Sequence, residues 1–117
     1  GGSHLRDTAF LETAFGTFKQ VLNRHPNSPY RNDILAKMTV IKNILSKSVL
    51  HEAEYDFNHK AFLGSLDRCG EILREYPGTQ SEVKALALMK RNYLKLGLQA
   101  EADELDGIVK LNHHKFT

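Results

Sequence analysis

Residues 30–60 read YRNDILAKMTVIKNILSKSVLHEAEYDFNHK, and this stretch decides the fold. Ile34, Met38, Ile41, Leu45, Val49, Ala53 and Phe57 recur every three or four positions, which is the period of one helix face. No glycine interrupts the run, and no proline follows Pro29. Ser46-Lys47-Ser48 is the one weak point, and a serine costs a helix only ~0.5 kcal/mol relative to alanine. The spacing therefore predicts a single long helix over residues 30–60. At 1.5 Å per residue it would be about 45 Å long. Ser28 or Asn27 can cap its start, and Asp33 sits in the first turn, where a negative charge suits the helix dipole.

Outward from this segment the same period continues. Leu11, Ala14, Phe15, Phe18 and Leu22 form one stripe, and Phe62, Leu66, Cys69, Leu73 and Tyr76 a second. Leu86, Met89, Tyr93 and Leu96 form a third, and Leu98, Ala102, Leu105 and Val109 a fourth. Breaks are expected at Pro26-Asn27-Ser28-Pro29, at Gly64, at Pro77-Gly78 and at Gly97. Strict alternation over strand lengths is absent. The fold class is all-α, with about five helices, one of them long and central. Residues 1–6 read as an expression scar and tail, 7–112 as the helical domain and 113–117 as a C-terminal tail.

The chain repeats itself. Placing Pro26 on Pro77 puts Phe15 on Leu66, Phe18 on Cys69, Val21 on Ile72 and Leu22 on Leu73. Ser28 then falls on Thr79, Leu35 on Leu86, Met38 on Met89 and Leu45 on Leu96. Each copy reads helix, proline, capping residue, helix. The pattern resembles the tetratricopeptide repeat. Ala14, Phe18, Val21 and Pro26 match that family's second helix, and Ser65, Cys69, Ile72 and Pro77 match it more loosely. Leu86, Met89, Tyr93, Gly97 and Ala102 match the first helix and its turn. Small residues let paired helices approach closely, while the aromatic fills the gap to the next repeat. The two prolines stand 51 positions apart, against the ~34 of the repeat, and the long helix accounts for the excess. The chain opens on what should be a second helix. Phe10 and Val21, lying beside its stripe, would then face a missing partner helix. Self-association with a second copy of the chain, or a bound partner, is the expected way to cover it; the alternative is that Leu5 and the residues before it fold back over it.

Composition sets what else is excluded. Hydrophobic residues make up 41% of the 117 and charged residues 26%, with a net charge of +2. This is an ordinary soluble balance, too mixed in sign to argue for nucleic acid. No apolar run approaches the ~18 residues of a membrane span. Cys69 is the only cysteine, so no internal disulfide can form. It reads as a small buried hydrophobe. His51 and His59 lie two turns apart on one helix but lack a third ligand, and His113-His114 belong to the tail, so no metal is expected. Glu101, Asp103, Glu104 and Asp106 complement a helix N-terminus better than they build a catalytic pair. No glycine-rich phosphate loop or nucleophile set is present, and neither an enzyme nor a cofactor is expected.

A closer resemblance lies in the order of four segments. These are Ala14-Phe15-x-x-Phe18, then His25-Pro26-Asn27-Ser28-x-Tyr30-x-x-Asp33, then Ala53-Glu54-Tyr55 with Ala61-Phe62. The last is Ile72-Leu73-Arg74-Glu75-Tyr76-Pro77-Gly78-Thr79-Gln80. Together they are similar to the C-terminal half of the BamD family, tetratricopeptide-type lipoproteins of the bacterial outer-membrane protein assembly machinery. The resemblance implies a non-enzymatic scaffold on the periplasmic face of the outer membrane, docking a periplasmic POTRA domain of the barrel subunit BamA, with the small lipoprotein BamE as a further partner. It implies a membrane anchor only through an N-terminal lipid, for which Cys69 cannot substitute. Other readings of the same repeats are a periplasmic cell-envelope coordinator and a general peptide-binding adaptor. Arg68 matches an arginine of the family pattern and is the first candidate for partner contact; its alternative is a surface pair with Glu71 or Glu75. Tyr55, His59 and Lys60, at the end of the long helix, come next, followed by Lys90, Arg91 and Lys95 as a basic face.

Overall fold

The computed structural model describes residues 2–116, with side chains described for residues 7–111. Five helices account for the described chain: α1 Gly2–Arg24, α2 Arg31–Asn58, α3 Phe62–Glu75, α4 Gln80–Lys95 and α5 Gln99–Phe116. No strand occurs among the described residues. The tails expected at 1–6 and 113–117 lie outside the residues with described side chains; the helices that contain them begin at Gly2 and end at Phe116. The long central helix is continuous through Ser46-Lys47-Ser48, as its unbroken apolar spacing requires.

Local chemistry sets the helix ends. Ser28 starts α2: its hydroxyl accepts the Tyr30 N–H at 3.1 Å and its carbonyl accepts the Arg31 N–H. Asp33 pairs with Lys37 one turn on, at 2.8 Å. Thr79 occupies the cap position of α4, but its hydroxyl donates backwards to the Tyr76 carbonyl. Glu82, in the first turn, reaches back to accept the N–H of Gly78 and ties the preceding turn to the helix, which has no side-chain cap. At Gly97 the chain takes a left-handed φ of 76°. There the Leu98 N–H reaches the Tyr93 carbonyl and the Gly97 N–H the Leu94 carbonyl, the pair of bonds that closes a helix on a glycine.

The break expected at Gly64 falls earlier. The chain turns at His59 and Lys60, and Gly64 lies inside the first turn of α3. The same closing bonds recur here, from Ala61 N–H to the Asp56 carbonyl and from Lys60 N–H to Phe57. A β-carbon at Gly64 would stand 3.3 Å from an Asp56 carboxylate oxygen. The glycine thus marks a close approach of α3 to α2, not the turn itself.

The chain divides into two compact units. Residues 1–45 form the first, made of α1 and the first half of α2. Ile34, Ile41 and Leu45 are its buried apolar residues, while Leu11, Ala14, Phe15, Phe18, Val21 and Leu22 of α1 are half-buried. Phe10 is 72% exposed. Residues 46–117 form the second unit, in which α3 packs on α4 and α4 on α5. Its core joins Leu50, Ala53 and Phe57 of α2, Cys69 and Ile72 of α3, and Ala85 and Leu88 of α4. Phe62 packs edge-on to Phe57, with ring centroids 5.5 Å apart.

Of the repeat positions, Cys69, Ile72 and Ala102 are fully buried, and Met89 and Tyr93 half-buried. Pro26 and Pro77 are exposed in their turns. The third apolar stripe is displaced from its expected place. Ser81, Ala85, Leu88 and Asn92 form the buried face of α4, and Leu86, Met89, Tyr93 and Leu96 are half-buried. The reason is that α4 lies between α3 and α5, so two of its faces are covered.

Truncating the fully buried Ile72 to alanine should cost ~2–5 kcal/mol, through lost apolar transfer and a residual cavity. Phe10→Ser should change stability by less than ~0.5 kcal/mol, as exposed substitutions do, and should reduce any self-association seen by light scattering at high concentration. Urea unfolding of the two variants checks the contrast.

Candidate functional site

Ser65, fully buried, lies where three helices meet. Its hydroxyl donates to the Ala53 carbonyl on α2 at 2.8 Å and accepts from the Asn92 side-chain amide on α4, also at 2.8 Å. The same amide donates its second proton to the Leu88 carbonyl at 3.1 Å. Asn92 is fully buried, and its Oδ1 has no hydrogen-bond partner among the described residues. About two turns earlier along α2 and α4, Ser46 and Ser81 share a buried hydrogen bond of 3.1 Å. These polar contacts were not evident from apolar periodicity, which treats Ser46 as a helix weakness and passes over Asn92. Desolvation beside this junction pushes the Cys69 thiol up to about 11, keeping it protonated and unreactive at neutral pH.

The junction places Arg68. It follows Ser65 by one helical turn, so its side chain leaves α3 toward the flank of α2 that carries Glu52 and Asp56. Its Nε donates to Asp56 Oδ2 at 2.9 Å and its Nη1 to Glu52 Oε2. The hydrogen bond to Asp56 holds the guanidinium pKa above its ordinary value, against desolvation, with attraction to Glu52 adding to it. The pairing is thus between helices, not with Glu71 or Glu75 along α3. The Arg68 side chain keeps 42% of its surface exposed.

Tyr55 lies in the last turn of α2, and His59 and Lys60 form the turn that follows it. Tyr55 is 59% exposed, and His59 stacks on it with ring centroids 3.9 Å apart. The His59 Nδ1 lies 2.8 Å from the Tyr55 carbonyl. Lys60 takes a left-handed φ of 63°, where glycine is the favoured residue. The structure therefore brings Tyr55 and His59 together at the end of α2, while Arg68 meets that helix through Glu52 and Asp56.

It does not join Lys90, Arg91 and Lys95 to them, nor keep these three as one face. Lys90 pairs with Asp106 of α5 at 2.9 Å. Arg91 lies over the Phe57 ring, 4.3 Å from its centroid. Lys95 is exposed in the last turn of α4. Among the described residues, no three histidine, cysteine, aspartate or glutamate side chains gather as metal ligands. No described helix is long and apolar enough to cross a membrane.

Comparison with known proteins gives these features a family context. The family model described as outer membrane lipoprotein, YfiO, matches residues 3–107. The outer membrane protein assembly factor BamD of Haemophilus influenzae is 36% identical over 110 residues, covering 94% of this chain and 42% of that protein. BamD of Vibrio cholerae is 32% identical, over 92% of this chain and 44% of its own length. BamD of Neisseria meningitidis serogroup A is 26% identical, over 94% and 41%. The chain thus spans less than half the length of these relatives.

The strain at Lys60 gives a direct test of the local geometry. A non-glycine residue in the left-handed region costs ~1–2 kcal/mol. Lys60→Gly should raise unfolding free energy by about 1 kcal/mol, after the added backbone entropy of the unfolded chain is counted. Lys60→Val should lower it. Thermal melts of the three proteins decide the order.

Proposed function

The chain belongs to the YfiO family of outer membrane lipoproteins, and on that premise we propose that it is a non-enzymatic docking scaffold in outer-membrane protein assembly. The reading places it on the periplasmic face of the outer membrane. The partner proposed for it is a POTRA domain of the barrel subunit BamA, met by Arg68 and by Tyr55, His59 and Lys60 at the end of α2; BamE is proposed as a second partner. The observation that carries the docking surface is the half-exposed Arg68, held by Glu52 and Asp56 of α2, the helix whose last turn also bears the exposed Tyr55.

The chemistry suits recognition. An arginine fixed by two carboxylates has little rotamer freedom left to lose on binding. Its exposed guanidinium edge can still donate to a partner carboxylate. The Tyr55 ring, stacked on His59, supplies rigid amphipathic area of the kind that anchors interfaces. A scaffold of packed helices contributes no moving parts to this and needs none: it holds a fixed surface for its partner.

Arg68→Ala removes both the cross-helix pair and the proposed contact, so two readouts are needed. Its stability should fall by about 1 kcal/mol, the scale of partly exposed ion pairs. Binding to a BamA POTRA fragment, measured by calorimetry on the folded variant, should weaken by ~1 kcal/mol or more. The double variant Glu52→Gln with Asp56→Asn removes both ion pairs while keeping Arg68, and should weaken binding less than Arg68→Ala does, by the lost preorganisation alone. Equal binding by wild type and Arg68→Ala would remove Arg68 from the docking surface.

A further inference from the structure

The second unit carries another surface on the opposite flank of α2. Leu50, Ala53 and Phe57 are the buried stripe of α2 in this unit. At 100° per residue, Glu52 and Asp56 fall on one side of that stripe, and Glu54 and Asn58 on the other. Glu54 and Asn58 face α4 across a groove of about 320 Å³. The buried Phe57 and Leu88 and the small Ala87 line its floor, and Lys84 and Arg91 its α4 edge.

Three features distinguish this groove from incidental roughness. First, its lining includes Ala87, an exposed alanine; Val83, one turn before it, is 70% exposed, and Leu94, two turns after, is 44% exposed. An apolar strip therefore runs along α4 past the groove. Second, the cations beside the strip lack carboxylate partners. Lys90, toward α5, is neutralised by Asp106, whereas Lys84 and Lys95 make no ion pair among the described residues, and Arg91 meets only the face of the Phe57 ring. Third, Lys84, Arg91 and Lys95 project within about 40° of one another on the helix, at rises of roughly 10 and 6 Å. They form a cationic rail beside an apolar strip.

We propose that this groove is a docking site for an acidic peptide segment. The segment seats an aliphatic side chain in the groove against Ala87, beside the Arg91 that covers Phe57, and sets carboxylates against Lys84, Arg91 and Lys95. The α2 wall completes the recognition: Asn58 can both donate to and accept from a peptide backbone, and Glu54 accepts a backbone N–H. Glu54 also disfavours a sheet of lipid phosphates, which would bring negative charge against it along the whole wall. A single chain, bearing its carboxylates on one side only, avoids that repulsion. The proposal goes beyond the Arg68 surface and rests only on the reading of the chain as an interaction scaffold.

The test uses three fluorescent decapeptides of equal length and leucine content, with glutamate, glutamine or lysine at the charged positions. Anisotropy titration should show binding of the glutamate peptide, weakened at least tenfold between 20 and ~300 mM salt as screening shortens, and at least tenfold weaker binding of the other two. Ala87→Phe fills the groove from an exposed position, and Lys84→Glu reverses its edge. Each should weaken the glutamate peptide at least tenfold while leaving the melting temperature and POTRA binding unchanged. Arg68→Ala should leave peptide binding intact, so the two surfaces fail or succeed separately. Equal affinity for the three peptides would overturn the proposal, as would a glutamate peptide that binds Ala87→Phe as it binds wild type, or none bound at millimolar concentration. Vesicles of anionic phosphatidylglycerol that bind more tightly than the peptide, and lose binding in Lys84→Glu, would assign the rail to a lipid surface and likewise overturn it.

Discussion

The arrangement of the second unit depends on how closely α2, α3 and α4 approach at Ser65. Ala53, Ser65, Cys69, Ala85 and Asn92 are all fully buried, and four of the five are small. Larger side chains would push the helices apart and forfeit the contacts that dense packing supplies. The hydrogen bonds at the junction add direction to this fit. An apolar contact tolerates a helix sliding by a fraction of a turn. A hydroxyl that must reach the Ala53 carbonyl and accept from Asn92 together does not, because a buried polar group left unpaired costs ~1–3 kcal/mol. Register between the three helices is therefore specified by polar atoms inside an apolar core, with Ser46 and Ser81 repeating the device further along α2.

Both surface features inherit their positions from that register. Arg68 follows Ser65 by three residues, and its two carboxylate partners, Glu52 and Asp56, flank Ala53, the residue whose carbonyl Ser65 bonds. On the other side, Arg91 immediately precedes Asn92 and comes to lie over Phe57. A slip of one residue at the junction would turn each charged side chain by about 100° around its helix. Neither the cross-helix pair nor the cover over Phe57 would survive it. The core thus determines which charges meet, although the charges themselves contribute little to stability.

The sequence revealed helices more readily than it revealed their neighbours. Apolar spacing located the long helix, and it was right to run that helix through Ser46-Lys47-Ser48, because serine is only a weak breaker. Gly97 read correctly as a turn, since its left-handed conformation is one that glycine alone adopts freely. Lys60 does the same work with a side chain that gives no such signal, so the turn was sought at Gly64 instead. The burial of Ser46, Ser65, Ser81 and Asn92 was illegible for a different reason. Polar residues are buried only where a partner is at hand, and the partners here lie 35 positions away for Ser46 and 27 for Asn92. Arg68 shows the same limit. Glu71 and Glu75 were the visible candidates because they are local; the acids it meets are 16 and 12 residues distant.

The two flanks of α2 also differ in charge. On the α3 side, Glu52 and Asp56 outnumber Arg68, leaving an acidic balance around a half-exposed guanidinium. On the α4 side, Lys84, Arg91 and Lys95 outnumber Glu54. Charge complementarity governs partner choice and encounter rate more than it governs final affinity, which comes from the buried apolar centre of an interface. Tyr55 stacked on His59 supplies such a centre at the end of α2, and the groove against Ala87 supplies one on the α4 flank. An acidic segment suited to the α4 flank meets Glu52 and Asp56 on the other, and repulsion of that kind lets a surface reject the wrong partner. The two flanks share no side chain, so a change confined to one leaves the residues of the other in place.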